Sequence, residues 1–544
     1  MDVVWDAPGP GSWQLDRSHY DAALTPIGYM VARGSDAAYR TGFAEAGVPA
    51  DGTEFRVVNG FIYTRVRPLY GADRPTAKTP PDWVVKLVGR LHPEMRRREK
   101  LAADRLAQPR FRAALAEWTT TIRPRVVARN RSLQAIDLGA LHDAALAAHV
   151  DALIDHAYQS CVLHHRLHMD DLGPLGTYVV FCRDRGIDPT LALKALAGAS
   201  PSTVEPRRQL TAIRRTVEAA GIKPTSLDEV RAAGPEAARL LDDYLEHHGS
   251  VLFSGYDIDT PTLRERPGVI LAAIMSATAP AEHAMADTIA ADLRGQIPTG
   301  DQAEFDRTLA DAREAMDMRD DNGPITVEWP GGLLRLGLLE VGHRLAERGA
   351  AAHARHVFEL EADEVATLLL AGTGPTAAEL SERAERREGQ RSLDPPPYLG
   401  DEPEDPPLHL LPPSMGQAMD MVNTVISALF GAQDPAAPPL SGSGIGSEPY
   451  TGIARVAETA EEAITAMEPG DVLVTRATSP AFNLVLGIAG ALVTVHGGPM
   501  SHAAVLSREL DLPAVIGVQD CLSHITTGDR IEVDPARGVV SVVG

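Results

Sequence analysis

The chain has 544 residues, 44% of them hydrophobic, and 51 Lys and Arg against 74 Asp and Glu give a net charge of −23. This acidity argues against a protein that wraps nucleic acid or coats an anionic membrane, and the length predicts several domains. The three widely spaced cysteines form no CxxC motif, which argues against a disulfide scaffold or a zinc module. Because no signal peptide and no membrane-spanning apolar run is evident, we expect a cytoplasmic protein. Acidic multidomain proteins of this kind are most often enzymes.

Residues 1 to about 75 look irregular except for one strand-like stretch. Between Phe55 and Val66, β-branched and aromatic residues flank the dipeptide Asn59-Gly60. This dipeptide is typical of a tight turn between two short strands. The stretch therefore predicts a β-hairpin.

From about residue 82 to residue 390 the pattern is mainly helical. Hydrophobic residues recur at helical spacing over residues 91–118, 136–167 and 333–345. Residues that interrupt helices should separate these segments, and they are Pro93, Gly173-Pro174, Gly186, Gly198 and Gly323-Pro324. Because we find no fixed-period repeat, we expect one large, mainly α-helical domain over residues 1–393 rather than a solenoid.

Residues 394–447 differ in composition from what precedes them. The segment from Asp394 to Pro407 is acidic and rich in proline, which favours extended polyproline conformation. A short apolar helix is expected from Met415 to Phe430, followed by a stretch of Pro, Gly and Ser. We interpret residues 394–447 as a linker between parts that move.

Residues 448–544 predict a small domain that mixes strands and helices. Short β-branched runs bounded by turn signals are typical of strands, and they occupy residues 471–475, 491–495, 513–517, 530–534 and 539–543.

The segment from Thr494 to Leu510 reads as strand, glycine turn and helix. Two glycines let the backbone approach a ligand closely, and Ser501 is a candidate N-cap that places His502 in the first helical turn. Free N–H groups and the positive helix end favour a phosphate there, and a histidine at such a place can act as a nucleophile. On these grounds alone, a capping or surface histidine would be the more common interpretation.

The run from Gly497 to Val518 resembles the phosphohistidine swivelling domain of phosphoenolpyruvate-utilising enzymes. The family pattern consists of a Gly-Gly pair, a Ser/Thr/Cys-His-Ala stretch, an Ala-Arg-Glu stretch and a Pro-Ala-Val-Gly strand. This chain departs from the pattern at Ser507, where the family usually has the alanine before Arg-Glu. The resemblance extends from Thr451 to Val539 and implies that His502 carries a phosphoryl group. The candidate phosphate-binding residues are Gly497, Gly498 and Ser501, from the turn and the helix start, and Arg476 and Thr478, on a loop that the resemblance places near the histidine.

Two segments of the helical region, Gly342 to Gly349 and Val357 to Glu364, are similar to the substrate-binding middle domain of rifampin phosphotransferase-like enzymes. Together the resemblances imply a large, mainly α-helical substrate-binding domain, a linker, and a small α/β phosphohistidine swivelling domain over residues 448–544.

His164, Arg166 and His168 form the polar cluster that is richest in histidine within the helical region. His164 and His168 lie four residues apart and share a helix face, whereas Arg166 should point elsewhere. The histidines could hold a metal together with Cys161, contact substrate and deprotonate an acceptor hydroxyl, or form a polar helix face. We favour a polar face that lines an interdomain groove, and we assign no metal.

His343 and Arg344 are further candidates in the substrate-binding region. The planar guanidinium of Arg344 suits a phosphate, although a structural salt bridge is the interpretation that we favour.

The domain composition suggests how the activity would be divided. Members of this family usually begin with an ATP-grasp domain, whereas this chain starts at the substrate-type domain. In this respect it resembles phenylphosphate synthase, in which the histidine subunit is separate from the ATP-grasp subunit. We therefore expect a separate ATP-grasp protein, which binds ATP and Mg²⁺, to phosphorylate His502. His502 would then pass the phosphoryl group to a hydroxyl of a small molecule. The alternatives are a non-catalytic phosphocarrier or regulatory protein, and a component similar to phosphoenolpyruvate synthase that acts on pyruvate.

Overall fold

The computed structural model describes residues 3–16, 19–20, 22–70, 81–108, 110–253, 255–277, 284–400, 407–430, 438–478, 482–499 and 501–543. The strands within these ranges are β1 Ser12–Leu15, β2 Ala50–Val58, β3 Phe61–Pro68, β4 Tyr398–Gly400, β5 Ser443–Ile445, β6 Tyr450–Val456, β7 Val472–Thr475, β8 Ala491–Thr494, β9 Ala514–Ile516, β10 Arg530–Asp534 and β11 Val539–Val542.

The α-helices are α1 Pro26–Ala32, α2 Gly34–Ala46, α3 Asp82–Leu91, α4 Pro93–Ala107, α5 Phe111–Glu117, α6 Arg123–Gln134, α7 Asp143–Arg183, α8 Pro189–Lys194, α9 Pro201–Ala219, α10 Leu227–Ala232, α11 Pro235–His248, α12 Pro267–Ser276, α13 Ala284–Gln296, α14 Gln302–Gly323, α15 Trp329–Glu347, α16 Ala362–Ala371, α17 Ala377–Arg391, α18 Pro413–Phe430, α19 Ala460–Ala466, α20 Asn483–Leu486, α21 His502–Glu509 and α22 Cys521–His524. Short π-helical turns occupy Trp118–Ile122 and Pro324–Glu328, and 3-10 turns occupy Leu138–Ala140, Leu263–Glu265, Ala354–Glu359 and Leu408–Leu410. Among the described residues, no helix has both the length and the apolar character needed to cross a membrane.

The chain forms two compact units, each assembled from segments that are distant in sequence. Unit 1 comprises Met1–Asp170, Gly255–Pro261 and Asn322–Asp420. Unit 2 comprises Asp171–Ser254, Thr262–Asp321 and Met421–Gly544. The predicted domain boundaries, at residues 393/394 and 447/448, stay predictions.

Unit 1 contains a four-stranded antiparallel sheet in the order β2-β3-β1-β4. The turn between β2 and β3 has positive φ at both Asn59 (51°) and Gly60 (90°), which is the geometry that Asn-Gly favours. The predicted hairpin is therefore confirmed. One face of the sheet buries a core that includes Trp13, Phe61 and Tyr63.

Helix α7 corrects the expectation that Gly173-Pro174 ends a helix, because it continues through Pro174 to Arg183. A proline in a helix interior removes one backbone hydrogen bond and crowds the preceding turn. In this turn, Arg105 donates a 2.8 Å hydrogen bond to the carbonyl of Met169 and also contacts Asp170. A guanidinium from another helix thus provides a partner for a backbone carbonyl in the turn before the proline.

The expected break at Gly323-Pro324 is also wrong, because helix continues through this pair as a π-helical turn. Helix α14 ends at Gly323, the π turn spans Pro324–Glu328, and α15 begins at Trp329. Pro324 is the first residue of this turn and has no N–H group to donate to the preceding turn of α14. π turns are rare and are often found at functional sites.

Unit 2 contains a seven-stranded sheet in the order β11-β10-β6-β7-β8-β9-β5. Strands β6 to β9 are parallel, and each of the five predicted strands between residues 471 and 543 is present. The sheet also includes β5, which lies inside the segment predicted to be a linker. The central strands β7 and β8 are buried on both faces, as expected for parallel strands covered on both sides.

Candidate functional site

His502 lies at the carboxyl edge of the parallel strands of unit 2, where ligands commonly bind in such sheets. Strand β8 ends at Thr494, and after a short loop His502 begins α21. In that loop, Gly497 has a φ of 123°, and a Cβ atom there would lie 2.8 Å from Oγ of Ser501. A glycine is thus needed both for the backbone conformation and for the close approach of Ser501.

Ser501 is the N-cap of α21, as predicted. Its hydroxyl accepts a hydrogen bond from the backbone N–H of Ala504 at 3.3 Å, and its own N–H donates to the carbonyl of Gly498 at 2.9 Å. The serine side chain therefore occupies one of the free N–H groups of the first turn. This arrangement fixes the position of the next residue, His502.

Thr478 contacts His502 from the neighbouring strand connection. Strand β7 ends at Thr475, which pairs in parallel with Thr494 of β8, so the loops after both strands leave the same edge of the sheet. The hydroxyl of Thr478 lies 3.0 Å from Nδ1 of His502. When Nδ1 carries the proton and donates to this hydroxyl, the lone pair is on Nε2.

The surroundings of His502 keep its imidazole neutral. Burial, followed by the positive charge of Arg319, lowers the pKa of His502 to about 4. At neutral pH the ring therefore has one nitrogen with a free lone pair, as nucleophilic attack requires.

The sequence interpretation did not assign two arginines of unit 2 to the site, and the charge of one of them, Arg319, acts on His502. Arg319 is on α14, and a 3.5 Å ion pair joins it to Asp320. Arg508 is on α21, donates to the carbonyl of Pro499, and lines a cleft together with Asp320 and Met316. Burial lowers the pKa of Arg508 to about 10. Arg508 lies within the recognised motif, whereas no local signal around Arg319 links it to a histidine so distant in sequence.

Arg476, the arginine that the sequence interpretation placed near the phosphate, has a different partner. The exposed guanidinium of Arg476 forms a 3.3 Å ion pair with Glu458. The backbone carbonyl of Arg476 accepts a 2.7 Å hydrogen bond from the N–H of His496. The structure thus brings Thr478, Ser501 and Gly497 to His502 and places the Arg476 side chain in an ion pair with Glu458.

A cluster of three histidines lies on α7 in unit 1. Nε2 of His168 is 3.1 Å from Nε2 of His164, and the ring of His165 lies against both. Burial, together with the neighbouring histidines, lowers the pKa values of His164 and His165 well below the usual range. His165 was not among the predicted candidates, although it is adjacent in sequence to one of them.

The remaining candidates of unit 1 are separate from this cluster. Arg166 is exposed, as its helical position predicted, and His343 is exposed on α15. Arg344 forms ion pairs with Glu340 at 2.8 Å and with Asp143 at 3.1 Å. This is the structural salt bridge that the sequence interpretation favoured.

The geometry of unit 2 defines a class of site: a neutral histidine at a helix start, on the carboxyl edge of parallel strands, with a hydroxyl on one ring nitrogen. Residues 467–538 match the model of the PEP-utilising enzyme, mobile domain. The chain thus carries the mobile domain of phosphoenolpyruvate-utilising enzymes, and the resemblance stated for this segment is confirmed.

Several relatives share parts of the chain. Chondramide synthase cmdD of Chondromyces crocatus is 27% identical over 595 residues, which cover 99% of this chain and 14% of that protein. The uncharacterized phosphotransferase YvkC of Bacillus subtilis is 29% identical over 248 residues, 45% of this chain and 28% of YvkC. Phosphoenolpyruvate synthase of Aeropyrum pernix is 46% identical over 90 residues, 16% of this chain and 11% of the synthase. The chain therefore spans less than a third of the length of each of these relatives.

Proposed function

We propose that the protein is a phosphotransferase in which His502 accepts a phosphoryl group and passes it to a hydroxyl of a small molecule. The observation that carries this proposal is the contact between Nδ1 of His502 and the hydroxyl of Thr478 in a mobile domain of the phosphoenolpyruvate-utilising type. Relatives named phosphotransferase and phosphoenolpyruvate synthase support the same class of chemistry.

Nε2 of His502 is the nitrogen that would form the bond to phosphorus. With the Nδ1 proton donated to Thr478, the Nε2 lone pair attacks the phosphorus of the donor, and the donor's leaving oxygen departs with the electron pair of the broken P–O bond. The positive charge of Arg319, which acts on His502, favours the phosphorylated form. In the second transfer, the acceptor oxygen displaces Nε2 from phosphorus, and the acceptor hydroxyl loses its proton to a base.

The donor in this proposal is an ATP-grasp protein that binds ATP with Mg²⁺, and the acceptor is a small alcohol or phenol. Both follow from the family resemblance rather than from contacts in the structure. His164 and His168, which the sequence interpretation named, are candidates to bind the acceptor.

The test is a labelling experiment with the full chain. The protein is incubated with β- and γ-labelled ATP and a candidate ATP-grasp protein, and acid-labile label on the chain is measured. We expect label on wild type, none on His502→Asn, and full labelling of a control, His524→Asn, which changes an exposed histidine of the same unit. Equal labelling of wild type and His502→Asn would show that the assignment is wrong.

A screen of alcohols and phenols then separates a transferase from a phosphocarrier. Transfer of label from the phosphorylated chain to an acceptor supports the proposed function. Stable label with no acceptor among the alcohols and phenols would favour a carrier, and formation of phosphoenolpyruvate from pyruvate would favour the synthase-like alternative.

A further inference from the structure

Three histidines of α7 bring their ring nitrogens together in unit 1. One ligand atom each from His164, His165 and His168 lies within 4.8 Å of the other two, and Nε2 of His164 and Nε2 of His168 are 3.1 Å apart. Successive helical residues are rotated by about 100°, so positions 164, 165 and 168 share an arc of about 100°. The cluster is therefore a property of one continuous helix and does not need distant segments to assemble it.

Neighbouring hydroxyl groups orient two of the rings. Oγ1 of Thr326 donates to the carbonyl of Asn322 at 2.5 Å and lies 3.3 Å from Nδ1 of His164. Because the single proton of that hydroxyl is used on Asn322, the contact with His164 is made by an Nδ1–H group donating to Thr326. The lone pair of His164 is consequently on Nε2, the atom that faces His168.

His165 has a similar arrangement on the other side of the cluster. Its Nδ1 lies 3.1 Å from the hydroxyl of Tyr39, on α2. Hydrogen bonds from the far nitrogen of an imidazole to an oxygen are typical of histidines that bind metals, because they fix the ring and its tautomer. The π turn has a part in this geometry, since Thr326 lies within it.

The donor set selects a class of ion. Imidazole nitrogens suit Zn²⁺ and neighbouring transition metals, whereas Mg²⁺ and Ca²⁺ prefer oxygen ligands. Cys161, one turn earlier, does not belong to the set: its thiol is buried against Ser35, and burial raises its pKa to about 11. Three protein ligands leave one position of a tetrahedral ion for water or for an oxygen of a bound molecule.

We propose that His164, His165 and His168 bind one divalent transition-metal ion of the zinc class. This inference concerns unit 1 only and does not depend on phosphorylation of His502. It also replaces our sequence-based preference for a polar helix face without a metal.

The test measures metal binding directly in the full-length chain. The protein is stripped with a chelator, dialysed against Zn²⁺ with excess Mg²⁺, and its metal content and Zn²⁺ affinity are determined. We expect one Zn²⁺ per wild-type chain, and at least tenfold weaker binding in His164→Ala and His168→Ala. His343→Ala, which removes an exposed histidine of the same unit, should bind as wild type does.

Two further measurements distinguish the loss of a metal ligand from misfolding of the variant. Tyr39→Phe keeps all three imidazoles and removes one orienting hydroxyl, so Zn²⁺ affinity should fall about tenfold while the circular dichroism spectrum stays unchanged. Co²⁺ should produce visible absorption bands in wild type that are lost in His164→Ala. Wild type without stoichiometric Zn²⁺, or variants that bind as tightly as wild type, would overturn the proposal.

Discussion

The hydroxyl of Thr478 lies 3.0 Å from Nδ1 of His502, although the two residues follow different strands of the sheet. This contact holds the ring in one orientation and favours a single tautomer. We expect Thr478→Val to slow phosphorylation of His502 about tenfold, the equivalent of one hydrogen bond of about 1.4 kcal/mol.

Thr478→Ser is the matched variant, because it keeps the hydroxyl. Its phosphorylation rate should stay within about twofold of wild type in the same labelling assay. A Thr478→Val protein that is phosphorylated as fast as wild type would mean that this contact does not orient the ring.

The titration of His502 should reflect its environment. Because burial and Arg319 lower its pKa to about 4, the folded protein keeps this ring neutral at pH values where an unfolded chain, with a pKa of 6.5, takes up a proton. This residue therefore makes folding less favourable as the pH falls from about 6.5 towards 4. The measurement is an NMR titration of ¹³C-labelled histidines, in which the His502 signal is identified by its absence in His502→Asn. A midpoint near 6.5 would contradict the described environment.

The N-cap of α21 should contribute measurably to stability. Ser501→Ala removes the hydroxyl that accepts from the N–H of Ala504, and we expect a loss of about 1 kcal/mol in the free energy of unfolding of unit 2. Thr459→Ala provides a comparison, because Thr459 caps α19 of the same unit with a 3.1 Å bond from the N–H of Glu462. Urea unfolding measures the loss of unfolding free energy in both variants, and we expect similar losses. Slower phosphorylation in Ser501→Ala but not in Thr459→Ala would indicate that the Ser501 cap also positions His502.

The burial of Glu328 should make the stability of unit 1 depend on pH. It lies in the π turn, only 4% exposed, and its Oε2 has no hydrogen-bond partner among the described residues. Burial raises the pKa of Glu328 from 4.5 to about 8. A carboxyl with a raised folded-state pKa contributes stability below pH 4.5 that is lost as the pH rises through 8.

Glu328→Gln should therefore be more stable than wild type at pH 8, by an amount on the order of a few kcal/mol, and the difference should shrink towards pH 5. Exposed Glu347 on α15 provides the control variant Glu347→Gln, for which we expect no pH-dependent difference. Denaturant unfolding at both pH values measures the effect. A constant difference between Glu328→Gln and wild type would show that Glu328 does not titrate in this way.

Local patterns predicted the elements that depend on neighbouring residues. The Asn59-Gly60 hairpin, the strands of the C-terminal sheet and the Ser501 cap were all read from short stretches, because turn geometry and capping depend on a few adjacent residues. The apolar helix expected from residue 415 is likewise present as α18.

The features that were missed depend on contacts that are distant in sequence. Gly173-Pro174 does not end α7, and Gly323-Pro324 lies in a π turn, since tertiary packing can offset a local propensity. Arg319 acts on His502 from almost 200 positions away. His165, by contrast, could have been found, because a helical projection places it in the same arc as His164 and His168.

Phosphorylation of His502 can be tested most directly by locating the phosphoryl group without relying on a partner protein. Wild type and His502→Asn are treated with phosphoramidate, a small donor that phosphorylates histidine, and the modified residue is mapped by mass spectrometry at neutral pH. We expect a single fast-reacting site at His502 in wild type, and no such site in the variant. Fast modification at another histidine, with His502 unmodified, would contradict this expectation.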